Sequence, residues 1–133
     1  MPGYVEQSLV CFKHQRPQKP QHQPYPHVLP KYGAKHQFPE HKDESPFLDK
    51  AGKKFVQEVC GTFLYYSQAV NCTMLAALGS ITAQQLAPTE NTMNKINQLL
   101  DYAATHPDVA VTFRASDMVL SAHSNASFLS KTK

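Results

Sequence analysis

KKFVQEVCGTFLYYSQAV, residues 53–70, decides how this chain folds. Phe55, Val59 and Phe63 recur at helical spacing, and one position round so do Val56, Cys60 and Leu64, which together make a wide apolar face on a 3.6-residue period. Asp49 or Ser45 supplies a side-chain oxygen for the first free N–H groups, so the helix is predicted to run from there to about Val70. A helix with so broad an apolar face needs neighbours to cover it. Downstream, Thr73 is placed to cap a third helix whose Met74, Leu75, Leu78, Ile81 and Leu86 face the core, ending before Pro88. Thr89 then caps a fourth, with Met93, Ile96, Leu99, Leu100 and Ala103 along one side and His106-Pro107 as the stop. Upstream, Val5, Leu9 and Phe12 in PGYVEQSLVCFKH are spaced for a short amphipathic helix, exposed and wanting a partner. The expected core is Phe55, Val59, Phe63, Leu78, Ile96 and Leu99.

Composition separates this helical region from what precedes it. Eight of the ten prolines fall before residue 55 in a chain of 133. From Gln15 to Pro46 they recur every few residues with few aliphatic anchors, which reads as an extended, disordered linker. Charge divides at the same place: residues 1–54 hold nine Lys/Arg against five Asp/Glu, and residues 55–133 hold four against five, giving the net +3. A mildly basic arm suits contact with nucleic-acid phosphates, although cations so dispersed also suit simple solvation. Cys11, Cys60 and Cys72 follow no C-x-x-C spacing, so neither a disulfide framework nor a zinc ribbon is encoded, and a reducing compartment fits. No apolar run is long enough to span a bilayer and the start lacks a signal-peptide pattern, so the expected setting is intracellular, cytoplasmic or nuclear, with no membrane partner.

Beyond Pro107 the apolar period changes to two. VAVTF, a polar RASD turn and MVLSAHS predict a β-hairpin with nothing after it to pair its outer edges, the pattern of a sheet cut short.

Five runs taken together, MPGYVEQSLVCFKH, YPHVLPKYGAK, VCGTFLYYSQAVNCTMLAAL, NQLLDYAATHP and FRASDMVLSAHSNASFLS, resemble the polyprotein of copia-type LTR retrotransposons. The most specific pieces are Gly61-x-x-Leu64-Tyr65-Tyr66, Val70-x-x-Thr73-Met74-Leu75 and Ser124-x-Ala126-Ser127. The resemblance implies the end of the reverse transcriptase region at 1–14, a linker at 15–48, the helical connection at 49–106, and at 107–133 the first hairpin of a truncated RNase H-like domain. It further implies an ancestral role in positioning an RNA/DNA hybrid, and Mg2+ as the family's cofactor. Relatives of this kind tend to have aspartate, the first metal-binding carboxylate of RNase H, where this chain has Asn125. An amide offers only a neutral carbonyl to a hard cation, and two-metal hydrolysis needs several converging carboxylates. Likewise Gln68-Ala69-Val70-Asn71-Cys72 stands where relatives tend to show Arg-Ala-Val-Asp-Pro. Both departures suit a decaying genomic copy that neither polymerises DNA nor cuts RNA, with no catalytic residue and no cofactor of its own.

Other candidate sites weigh less. Asn125 with His123 is either a weakened metal ligand or an ordinary polar strand end. His14, His22, His27, His36 and His41, with Cys11, are either an opportunistic transition-metal set or a polar linker rich in His and Gln. Tyr65 and Tyr66 either stack on bases or pack in the core with their hydroxyls at its boundary. Asn71-Cys72-Thr73 and Asn125-Ala126-Ser127 match the glycosylation sequon, but without a secretory signal they have no acceptor role. No nucleophile, base and orienter can be argued into proximity. The expected fold class is therefore mainly α with a short C-terminal β-hairpin, a helical connection followed by the start of an RNase H-like α/β fold. The expected function is a catalytically incomplete retroelement fragment that binds RNA/DNA hybrid weakly. The alternative is a small helical interaction module, without nucleic-acid function, that meets a protein partner through its exposed helix or hairpin edge.

Overall fold

A computed structural model of the chain describes residues 1–26 and 43–110, with 112 and 115. Within them lie four helices: α1 (Tyr4–Cys11), α2 (Lys50–Ala69), α3 (Leu75–Thr82) and α4 (Glu90–Thr105), with a 3-10 turn at Cys72–Met74 leading into α3.

The caps are local chemistry. Asp49 accepts the Gly52 N–H at 2.7 Å and starts α2. At α4 a capping box joins Thr89 and Thr92: the Thr89 hydroxyl accepts the Thr92 N–H at 3.3 Å, and the Thr92 hydroxyl accepts the Thr89 N–H at 3.1 Å. Gly3 precedes α1 in the left-handed region at φ 73°, a conformation that costs glycine little. Antiparallel bridge bonds from Leu48 N–H to the Pro88 carbonyl (2.8 Å) and from Glu90 N–H to the Pro46 carbonyl (3.1 Å) tie together the two entry points of α2 and α4.

One core joins all four helices. Val56, Val59, Cys60, Phe63 and Tyr66 of α2 meet Met74, Ala77, Leu78 and Ile81, and Ile96, Leu99, Leu100 and Ala103 of α4, all buried. The α2 positions keep the i, i+3, i+4 rhythm expected, but rotated, so that Phe55 is half-buried and Leu64 is exposed. The N-terminal helix is not the exposed element anticipated. Val5 is buried in the core, Tyr4 stacks on Tyr66 with ring centroids 5.5 Å apart, and its hydroxyl donates to the Thr62 carbonyl at 3.0 Å.

Two further expectations are corrected. Thr73 lies inside the 3-10 turn, with Asn71 in the capping position. Leu86 faces water, because α3 stops at Thr82 and the chain tightens into i to i+3 bonds (Gln84 N–H to Ile81, Gln85 N–H to Thr82, Ala87 N–H to Gln84) that swing it off the core face. The expected fold class, mainly α with a C-terminal hairpin opening an RNase H-like α/β fold, is also overturned. Among the described residues there is no strand, only the isolated Phe47/Thr89 bridge, and the helices cover one another's apolar faces without any sheet layer. Residues 107–110 run as coil, and nearly all of the anticipated hairpin, with the RASD turn, lies outside the described residues.

Candidate functional site

Asn125 and His123 lie outside the described residues, as do His27, His36 and His41. The structure does place the other singled-out residues. Tyr66 is buried and Tyr65 is exposed, so the pair divides between core and surface. Burial, then the nearby carboxylates of Asp108 and Glu6, push the Tyr66 hydroxyl's pKa above its ordinary 10.0. Gln68 lies on the surface, while Asn71 is 1% exposed and accepts from the Thr73 hydroxyl, which in turn meets the Tyr102 hydroxyl at 2.8 Å. The Asn71 side-chain NH2 has no acceptor. A buried donor left unpaired costs about 1–3 kcal/mol. An aspartate at this position would carry only acceptors and leave no such orphan.

Two surfaces gather polar groups beside exposed apolar ones. The first is a groove of about 320 Å3 between the start of α4 and the turn after α3, walled by Phe47 and Leu86 and floored by Ala83, Gln84, Thr89 and Thr92. Phe47 is 74% and Leu86 78% exposed. Asp43 is the one charged residue among the described residues lining it. The Thr89 hydroxyl donates to its carboxylate at 2.6 Å, and the Ser45 N–H does so at 3.1 Å, which holds its pKa down at about 2. That carboxylate is therefore charged at any physiological pH.

The second surface is where the arm crosses α4. Residues 15–26 form no helix, yet they are tied along its C-terminal half. His14 Nε2 meets Asp101 at 2.8 Å, Gln21 N–H donates to the Thr105 hydroxyl at 3.0 Å, and the Gln98 amide donates to the Gln23 carbonyl at 3.1 Å. His22 Nδ1 and His106 Nε2 face each other at 3.2 Å. Cys11 is exposed, and no described group of three or more His, Cys, Asp or Glu is set to hold a metal ion.

Sequence reasoning missed Asp43, which an Asx turn in Asp43-Glu44-Ser45-Pro46 signals in retrospect. It also missed His106 as an anchor for the arm, for which no local signal exists. None of the described helices is long and apolar enough to cross a membrane. Comparison with known proteins finds no match to a family model, a curated protein or a solved structure.

Proposed function

We propose that the chain works as a helical protein-interaction module, taking into its Phe47/Leu86 groove a partner segment that carries an apolar side chain next to a basic one. The observation that carries this reading is the pairing of two large, mostly exposed apolar side chains across one groove whose only charged lining group, among the described residues, is the anionic Asp43. Burying a side chain of that size stabilises a complex by about 1.5–3 kcal/mol, and Asp43 selects a cation beside it. The module's descent from the connection of a copia-type polyprotein is a second part of the proposal, supported by Gly61-x-x-Leu64-Tyr65-Tyr66 and the run that follows.

Positioning of an RNA/DNA hybrid is the less favoured role. Residues 43–110 hold four lysines (50, 53, 54 and 95) against seven carboxylates (43, 44, 49, 58, 90, 101 and 108), so the bundle repels phosphate and only the arm, with Lys13, Arg16 and Lys19 against Glu6 in residues 1–26, offers it a small cationic excess.

The test is selection of random peptides displayed on phage against the purified chain, with Phe47→Ser/Leu86→Ser as counter-selection. Peptides enriched on the parent chain, carrying apolar and basic residues together and lost on the double variant, support the reading. Enrichment that the variant retains sinks it. Steeply salt-dependent binding of a labelled RNA/DNA hybrid, unaffected by the double variant, would favour the nucleic-acid role instead.

A further inference from the structure

The arm's contact at the end of α4 is a pair of imidazoles whose chain segments are held on both sides. Residues 21 and 23 are hydrogen-bonded to Thr105 and Gln98, which brackets His22. His106 follows α4 directly, its N–H bonded to the Tyr102 carbonyl at 3.0 Å and its ring 4.9 Å from the Tyr102 ring. Between these two fixed segments the His22 and His106 rings lie 5.3 Å apart at 54°, with Nδ1 and Nε2 turned toward each other at 3.2 Å.

Two neutral imidazoles in this arrangement share one proton. The same separation has a meaning in coordination chemistry: two nitrogens each about 2.0–2.1 Å from a tetrahedral zinc stand about 3.3 Å apart. The exposed His22 ring needs only a tilt, not a shift of backbone, for both lone pairs to converge on one point outside the N–N line. The contact between the two rings lies at the surface, so water can fill the remaining positions.

We infer that His22 and His106 form a two-imidazole site for a borderline divalent transition ion, Zn2+ or Cu2+, completed by water, which staples the arm to the end of α4. On binding, the proton between the facing nitrogens moves to the far nitrogen of its own ring, so both rings stay neutral and the ion takes both lone pairs. Imidazole ligands favour copper and zinc, whereas magnesium and calcium seek oxygen, so the hard cations are excluded. The site is separate from the Phe47/Leu86 groove and does not depend on it.

The experiment is a calorimetric titration of the full chain with zinc chloride, repeated with His22→Gln, His106→Gln and the triple variant His27→Ala/His36→Ala/His41→Ala. Glutamine keeps a polar contact that holds the arm but is a poor ligand. Backbone NMR shifts on zinc addition locate the ion, and circular dichroism checks that each variant keeps its helices. One ion per chain is expected, with shifts confined to residues 20–24 and 104–107. Each glutamine variant should bind at least tenfold more weakly, since losing a ligand costs no less than the roughly 10–100-fold typical of losing an outer-shell partner. The triple variant should bind within about twofold of the parent, and magnesium should not compete. Zinc binding that survives His106→Gln, binding abolished by the triple variant, or no binding below millimolar zinc would each overturn the assignment.

Discussion

Thr89→Ala tests how the entry to α4 is built, because one hydroxyl serves two partners there. It accepts the Thr92 N–H at 3.3 Å and donates to the Asp43 carboxylate at 2.6 Å. Losing a threonine cap costs about 1 kcal/mol. The bond to Asp43 goes to a charged acceptor, but Asp43 is solvent-exposed, so its share is reduced to about 0.5 kcal/mol. The expected loss is about 1.5 kcal/mol, or about 6–12 °C in Tm for a domain of this size. Acid behaviour gives an independent reading. The Asp43 pKa is lowered from 3.8 to about 2, chiefly by the Thr89 hydroxyl and next by Ser45, so its contribution to stability is complete above pH 3.8 and disappears as pH falls through about 2. In Thr89→Ala the carboxyl titrates closer to 3.8, and the fall in stability between pH 4 and pH 2 becomes shallower. Urea denaturation across pH 2–7, with NMR titration of the Asp43 side chain, measures both effects. Thr89→Ser should recover most of each. A variant within 0.3 kcal/mol of the parent, or one whose Asp43 titrates unchanged, would refute this account of the cap.

Three other outcomes are expected. Leu99→Ala, at a fully buried position on α4, should cost about 2–5 kcal/mol in urea denaturation, and a loss under 1 kcal/mol would remove Leu99 from the core. Burial pushes the Cys60 thiol up to about 11, so at pH 8 iodoacetamide should label the exposed Cys11 and Cys72 and spare Cys60 until urea is added; equal labelling of all three in the native chain contradicts the packing of α2. Asp101→Asn removes the charged partner of His14, so amide exchange of residues 15–23 should speed up while the exchange of α2 stays unchanged; unaltered arm exchange would show that the pair does not hold it.

The helices were legible where side chains act on their own neighbours. Asp49 and Thr89 cap through bonds spanning three residues, Pro107 stops α4, and the apolar rhythm of Val59, Phe63, Leu78, Ile96 and Leu99 found the core. Rotation about a helix was less legible: Phe55 and Leu64 sit at the edge of the α2 stripe, where neither period nor hydropathy says which one turns inward. Extending the α3 period to Leu86 failed because Ala83 to Ala87 carry no signal for a tightened turn, no glycine and no proline before Pro88. The surfaces were the least legible. Asp43 touches Thr89, and His14 touches Asp101, through contacts 46 and 87 residues apart in sequence, and no periodicity reports such pairs.

The way the N-terminal segment closes over the bundle sets an order of events during synthesis. α2, α3 and α4 follow one another within residues 50–105, and their mutual contacts become available as soon as that stretch has left the ribosome. His14, by contrast, waits for a partner 87 residues further on. At about 5–20 residues per second that is a delay of roughly 4–17 s. Through that interval only α2 covers this segment, with Phe12 against Phe55 and Phe63 and Tyr4 against Tyr66, and the side that α4 meets stays open. Until α4 arrives, the nascent chain therefore presents part of a short apolar face to chaperones for seconds.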